Sequence, residues 1–272
     1  MKIGGYSDEC ATPAGTVTQI IPSHSDRRWH PCRLSGRQQR PHENLSIPGL
    51  ACETFYKPAR RIGGDYYDFF PLQNGAWGIA IGDVCGKGIG AALLMASLQA
   101  SLRAQAMHTH SDLSTLIADV DRLVLAASPK HLYASLFYAE YNTATRGLRY
   151  VNAGHNSPMI LRYKGSHCEL FHFESTGTVL GLLESSQFVS KTFQLEEGDL
   201  FVAYTDGITE WDNPYGELWG RERLETLLRA CQGCSPAQIV RRVVDEVTAF
   251  AKGRSQRDDL TLMVVGVDDR RT

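Results

Sequence analysis

Residues 77–95 have the sequence WGIAIGDVCGKGIGAALLM, which predicts a buried strand, a glycine-rich turn and the start of a helix. The run Trp77–Val84 is apolar and is bounded by glycines, a pattern typical of a strand buried on both faces. A helix is predicted over Ala91–Met107, where leucines recur at steps of four. The strand carries an aspartate, Asp83, at its end. The sequence therefore predicts an acidic group where a buried strand turns into a helix.

The segments that follow extend this unit into an α+β fold. A second helix is predicted over Asp112–Ala127, with Ser111 as the candidate cap. Further strands are predicted over Leu132–Tyr141, Leu148–Val151, Met159–Tyr163, Glu169–Phe173, Phe188–Phe193, Leu200–Tyr204 and Leu260–Val267, and further helices over Arg221–Ala230 and Pro236–Ala251. Consecutive strands are joined by short turns, which favours antiparallel pairing. We expect two packed sheets, mainly antiparallel, with helices outside.

Composition excludes several classes of protein. The 272 residues are 43% apolar and 21% charged, which is ordinary for a globular domain. A net charge of −2 does not favour binding to nucleic acid or to a membrane surface. No apolar run approaches the ~20 residues of a spanning helix. The seven cysteines are irregularly spaced, which favours a reducing compartment, and we expect a cytoplasmic protein.

The chain divides at about residue 46. Residues 1–46 are rich in Pro, Gly, Ser and Arg and lack sustained periodicity, so they are interpreted as a flexible lead-in or the remnant of a linker. The arginine-rich stretch Asp26–Arg40 could instead be a basic arm for nucleic acid. Prolines interrupt the region, and we favour the linker. The folded domain is predicted over residues 47–268.

Acidic residues recur beside glycine at the ends of predicted strands. A carboxylate at a buried strand end is unfavourable unless a positive charge meets it, and several together repel one another unless a cation lies between them. Oxygen ligands favour Mg²⁺, Mn²⁺ or Ca²⁺. Two such ions about 4 Å apart could convert a bridging water into a hydroxide that attacks phosphorus. The groups are Gly63-Gly64-Asp65 with Asp68, Gly82-Asp83, Thr205-Asp206-Gly207 and Asp258-Asp259.

Each acidic group also has a simpler explanation. An aspartate beside glycine is most often a turn or cap residue, and this would be favoured for any one group alone. The recurrence at four strand ends favours the metal site. Three other motifs are interpreted structurally: Gly82–Gly88 lacks the spacing of a phosphate-binding loop, His155 fits a tight turn better than a general base, and Cys231 and Cys234 lack further zinc ligands.

Taken in order, these motifs resemble the SpoIIE-like, RsbU-type branch of the PPM metal-dependent protein phosphatases, from about Ile47 to Val267. The matching pieces are Pro58–Asp68, Gly82–Gly88 with Ala91–Met95, Asn152–Asn156, Gly181-Leu182, Tyr204–Glu210 and Asp258–Thr261. The resemblance implies an αββα sandwich and the hydrolysis of phosphoserine or phosphothreonine.

The resemblance also implies a set of site residues. Two divalent cations, Mn²⁺ or Mg²⁺, would be bound by Asp65, Asp83, Asp206 and Asp258, with help from the carbonyl of Val84. Asp83 would bridge the ions, and these aspartates would act in catalysis through a metal-activated water. Asp259 is hard to separate from Asp258 as a ligand, and we favour it as a supporting residue.

The family's usual substrate is a phosphorylated protein, a small anti-sigma-factor antagonist in a partner-switching pathway. Its members usually carry a helix before the domain that links it to a sensor. Here the preceding region is rich in Pro and Arg, so an upstream sensor or a homodimer through that region is a weaker expectation. Cys85 stands where the family often has a smaller hydroxyl residue. The alternatives are a catalytically silent partner-binding module on the same fold, which the complete aspartate set argues against, and a metallohydrolase with a small-molecule substrate.

Overall fold

The computed structural model describes residues 46–60, 62–107, 112–128, 132–165 and 167–268. The predicted linker, residues 1–46, lies outside these ranges except for its last residue, so the prediction about it stays a prediction. Among the described helices, none combines the length and the apolar character needed to cross a bilayer.

Within the described ranges the chain forms ten strands and five helices. The strands are β1 (Leu50–Lys57), β2 (Tyr66–Pro71), β3 (Ala76–Val84), β4 (Ala134–Asn142), β5 (Gly147–Ala153), β6 (Met159–Lys164), β7 (His167–His172), β8 (Lys191–Gln194), β9 (Leu200–Tyr204) and β10 (Leu260–Val267). The helices are α1 (Ile89–Ala106), α2 (Leu113–Ala127), α3 (Asp206–Thr209), α4 (Arg221–Arg229) and α5 (Pro236–Ala251).

The strands form two five-stranded sheets. One has the order β1-β10-β9-β6-β7 and the other the order β2-β3-β4-β5-β8, and neighbouring strands pair antiparallel. Alternate side chains from both sheets, including Ile81, Phe137, Phe201 and Met263, pack together between them. The opposite faces are covered by α1 and α2 on the second sheet and by α4 and α5 on the first. The predicted αββα sandwich is confirmed.

Three local predictions need correction. The strands β1 and β2 were not predicted, because their short mixed sequences show neither clean alternation nor a continuous apolar run. Strand β8 begins at Lys191 rather than at Phe188. The cap of α2 is Asp112, whose carboxylate accepts the N–H of Ser114, a stronger acceptor at a helix N-terminus than a serine hydroxyl.

The turn from β3 to α1 carries one acid-bearing strand end into a helix. Gly86 and Gly88 have φ of +94° and +89°, a region that L residues rarely adopt. The N–H of Cys85 donates to the carbonyl of Tyr133 at 2.8 Å, which fixes the start of the turn. The turn therefore requires its glycines, and it places Lys87 between them.

Candidate metal centre

Asp65 is held by hydroxyl groups from the opposite sheet. Its carboxylate is 4% exposed, and its Oδ2 accepts hydrogen bonds from Thr205 Oγ1, at 2.7 Å, and from Thr261 Oγ1. The two threonines are themselves joined, because the N–H of Thr205 donates to the carbonyl of Thr261 at 3.1 Å. The loop before β2 is thus fastened to the ends of β9 and β10.

Asp83 and the carbonyl of Val84 lie beside the backbone of Gly64. A Cβ added to Gly64 would be 3.1 Å from the Val84 carbonyl oxygen and 3.5 Å from Asp83 Oδ1. The N–H of Val84 also donates to the carbonyl of Gly64, at 3.3 Å. A side chain at residue 64 would therefore crowd this close approach, which brings the end of β3 against the loop that carries Asp65.

Asp206 is the first residue of α3 and stands next to the pair that precedes β10. A Cβ on Gly207 would lie 1.9 Å from the carbonyl oxygen of Asp259, which leaves no room for any side chain. The packing of these two loops brings Asp206 beside Asp258. The four predicted acidic groups therefore meet at one end of the two sheets. Asp68, which the sequence placed in the first group, lies elsewhere.

The neighbours Asp258 and Asp259 have different surroundings. Asp259 is 6% exposed, and its two oxygens accept from the backbone N–H groups of Ala59, at 2.7 Å, and Gly64, at 2.6 Å. Its carboxylate therefore holds the loop that carries Asp65. Asp258 is 41% exposed, and its Oδ2 lies 2.7 Å from Lys87 Nζ.

The acids at this end raise one another's pKa values. Burial raises the pKa of Asp65 well above its usual range, and the charge of Asp83 adds to the effect. Burial, then Asp206 and Asp258, raise the pKa of Asp83 to about 7. Burial, followed by Asp258, raises the pKa of Asp206 to about 6. The negative charges of these carboxylates repel one another, and bound divalent cations would relieve that repulsion.

The donor chemistry fits divalent cations. The converging groups are carboxylate and carbonyl oxygens, the ligands that Mg²⁺ and Mn²⁺ prefer. Among the described residues, no three Asp, Glu, His or Cys side chains are already arranged around one point as ligands.

Asp68 does not belong to this cluster, although the sequence grouped it with Asp65. Its two carboxylate oxygens accept from Nε and Nη2 of Arg103 on α1, both at 2.6 Å, and Oδ2 also accepts from the hydroxyl of Tyr66 at 3.0 Å. The grouping was wrong because the side chains of Asp65 and Asp68, three residues apart, face different neighbours. Asp68 fastens α1 to β2.

The structural interpretations of His155 and of the cysteine pair stay predictions, and the surroundings of these residues are as follows. His155 is buried, its Nδ1 is 2.8 Å from Ser135 Oγ, and burial lowers its pKa to about 4, so the ring is neutral. Cys231 is buried and Cys234 partly buried, and both are free thiols. The sequence analysis overlooked the roles of Thr205 and Thr261, although each threonine adjoins or closely follows an acidic group.

The two facing antiparallel sheets, with acid-bearing loops at one end, are the fold of PP2C-type phosphatase domains. The family model of Stage II sporulation protein E, SpoIIE, matches residues 73–268, and the chain belongs to this family. The family resemblance inferred from the motifs is confirmed.

Two curated relatives extend the comparison. The chain is 30% identical to Protein IcfG of Synechocystis over 261 residues and 29% identical to Phosphoserine phosphatase RsbU of Bacillus subtilis over 235 residues. Each alignment covers 85% of this chain. The chain spans 40% of the length of IcfG and 66% of that of RsbU.

Solved structures share the fold at low identity. The RsbU and RsbW domains of a Mycobacterium tuberculosis protein match with a TM-score of 0.67 and 24% identity, covering 82% of this chain and 62% of that one. The catalytic domain of the serine/threonine protein phosphatase PstP, solved with two manganese ions, matches with a TM-score of 0.57 and 17% identity, covering 81% of this chain and 99% of that one.

Proposed function

We propose that the chain is a metal-dependent protein phosphatase that hydrolyses phosphoserine and phosphothreonine. The observation that carries the proposal is the cluster of Asp65, Asp83 and Asp206, acids with raised pKa values that loops from both sheets bring together with Asp258. Membership of the SpoIIE family and likeness to a phosphoserine phosphatase support it.

In this proposal Asp65, Asp83, Asp206 and Asp258, with the carbonyl of Val84, would hold two Mn²⁺ or Mg²⁺ ions, with Asp83 as the shared ligand that the family resemblance implies. Such ions, when bound, lower the pKa of a water so that it can attack phosphorus. The PstP structure with two manganese ions supports this choice of metal.

The remaining residues of the site have positioning roles. Thr205 and Thr261 turn the Asp65 carboxylate toward the site by donating to its Oδ2. Asp259 supports the same loop through the N–H groups of Ala59 and Gly64, rather than serving as a ligand itself. These contacts hold the Asp65 loop against the β9 and β10 ends before any ion arrives.

The substrate we propose is a phosphorylated protein, a small anti-sigma-factor antagonist in a partner-switching pathway. The likeness to RsbU and to a protein that joins RsbU and RsbW domains supports this choice. An upstream sensor or a homodimer through the N-terminal region, and a cytoplasmic location, are part of the same proposal. A net charge of −2 gives no reason to add nucleic acid or a membrane as a partner.

The test uses the purified chain with phosphoserine and phosphothreonine peptides, with Mn²⁺, with Mg²⁺ and with excess chelator. We expect turnover with either metal and none with chelator. Asp83→Asn should abolish turnover, whereas the matched control Asp245→Asn, at an exposed position on α5, should retain it.

Full turnover in chelator would overturn the proposal. Metal binding without turnover on any phosphopeptide would favour the silent partner-binding module, and turnover on nucleotides alone would favour the small-molecule metallohydrolase.

A further inference from the structure

The ammonium group of Lys87 lies beside the acids of the candidate metal centre. It lies in the turn that follows Asp83, yet its Nζ is 2.7 Å from Oδ2 of Asp258, on the loop before β10. The same ammonium group donates to the carbonyl of Arg257. The ammonium group in the turn after Asp83 is therefore paired with the carboxylate of Asp258 in a different loop. In addition, its charge opposes the rise in the pKa of Asp206 that burial and Asp258 cause.

The surroundings of Lys87 allow it to leave. Its side chain is 34% exposed, and the flanking residues Gly86 and Gly88 have no side chains to restrict the turn. A Cβ at Gly88 would meet no atom within 4 Å, so there is free space beside the turn. The ammonium group can move into solvent without disturbing the core. In contrast, Asp258 is fixed from its backbone, because Gln256 Nε2 donates to its carbonyl at 2.8 Å.

We propose that Lys87 is an internal counter-ion that holds Asp258 until a divalent cation displaces it, and that it thereby sets the metal affinity of the site. This inference rests on the proposed function, because it assumes that Asp258 is a metal ligand. The oxygen that Lys87 contacts is one that a metal ion would need, and an ammonium group beside a divalent cation is repelled. Lys87 is a positioning residue that acts through Asp258.

The expected effect is an increase in metal affinity when the charge is removed. The side chains of Lys87 and Asp258 are 34% and 41% exposed, so solvent screens their attraction. We therefore expect Lys87→Met to lower the Kd for Mn²⁺ by about three- to tenfold at low ionic strength, and by less as salt is added. Lys87→Arg keeps the charge and should stay within about twofold of the wild type.

The experiment is isothermal titration of MnCl₂ into the full chain after its metal has been removed by chelation and dialysis. Lys191→Met is the matched control, because it removes one positive charge from an exposed position on β8 and leaves the acids untouched. Circular dichroism of each variant verifies that it is folded. The double variant Lys87→Met with Asp258→Asn completes a mutant cycle. In the Asp258→Asn background the substitution at Lys87 should change the Kd by clearly less, because only the direct repulsion between the ammonium group and the metal ion remains.

The outcomes separate this inference from the proposed function. Tighter Mn²⁺ binding by Lys87→Met, with Lys87→Arg and Lys191→Met unchanged, supports the counter-ion. Equal or weaker binding by Lys87→Met overturns it, and so does an effect of undiminished size when Asp258 is Asn. If the wild-type chain itself binds no Mn²⁺, the metal-dependent function fails first, and the role of Lys87 falls with it.

Discussion

Buried aspartates in this protein occur in two kinds of surroundings. Asp199, on the turn before β9, is fully buried and is paired with Arg162, whose Nε and Nη2 lie 2.8 and 2.7 Å from its two oxygens. Asp65 is almost as deeply buried but meets only hydroxyl groups and other acids. Within the described residues, no arginine or lysine forms an ion pair with Asp65 or Asp83.

The difference separates carboxylates that are neutralised within the fold from those that the proposed metal site would need. A buried carboxylate that is neutralised by arginine and backbone N–H groups contributes to one folded structure. Buried or half-buried carboxylates that face one another destabilise the metal-free protein, and such an arrangement is retained where a cation is bound. Asp68 with Arg103 belongs to the first kind, although it is only three residues from Asp65.

The largest expected effect is on turnover at the unpaired acids. Asp83→Asn should reduce kcat by about a thousandfold or more, because it removes the proposed bridging ligand and with it several kcal/mol of transition-state stabilisation. The melting temperature of the metal-free variant should equal or exceed that of the wild type, since a repelling charge is gone. Phosphopeptide kinetics and thermal denaturation in chelator measure the two quantities. A variant that loses activity only because it unfolds would place Asp83 with Asp199 as a structural acid.

The next effect is on stability at the paired acids. Asp199→Asn should lower the free energy of unfolding by about 3 kcal/mol, because the buried guanidinium of Arg162 would keep only the exposed Glu196 as a counter-charge. This corresponds to a decrease in melting temperature of about 6–12 °C for a domain of this size. Turnover per folded molecule with saturating Mn²⁺ should be unchanged. If instead turnover decreases as strongly as in Asp83→Asn, the distinction between the two kinds of aspartate is lost.

An intermediate effect is expected where backbone packing holds two acid-bearing loops together. Gly207→Ala must push the loop of Asp259 away, because the new Cβ would overlap its carbonyl oxygen. A displacement near 1 Å at a catalytic group can reduce the rate about a hundredfold. Gly90→Ala is the control, since its Cβ would lie 3.6 Å from Leu132, an ordinary contact. Measurements of kcat and of the Mn²⁺ Kd for both variants test the expectation, and an active Gly207→Ala would mean that the loops need not touch.

The sequence predicted the acidic residues of the candidate site better than the residues that hold them in place. Asp83 and Asp206 stand out because each follows an apolar run beside glycine, a local signal that does not depend on tertiary structure. Only the family resemblance favoured Asp259 over Asp258 as the supporting residue, because the local sequence does not distinguish the two. The distinction depends on backbone N–H groups about 195 residues away along the chain, in the loop at Gly64.

The missed strands have a similar cause. Strand β1 is recognisable only through its register with β10, in which Leu50 pairs with Val267 and Lys57 with Leu260. Its own sequence contains a cysteine, a glutamate and a threonine, and the long-range pairing overrides this weak local preference. Elements with strong periodicity, such as α5, were predicted to the residue.

The smallest expected effect is the pH dependence of the metal-free protein. Asp83, with its pKa raised from 3.8 to about 7, binds more proton in the folded than in the unfolded chain between these two pH values. The free energy of unfolding therefore falls as the pH rises through this window, and stability is greatest on the acid side. Relative to Asp83→Asn, the wild type in chelator should lose on the order of 1 kcal/mol of its free energy of unfolding between about pH 5 and about pH 8.

Saturating Mn²⁺ should remove this loss, because bound cations replace the protons, whereas Asp199→Asn should retain it. Chemical denaturation across this pH range measures the difference. If the free energy of unfolding varies with pH in the same way for the wild type and for Asp83→Asn, the acids do not repel one another as proposed. The two kinds of aspartate would then differ only in their hydrogen-bond and ion-pair partners.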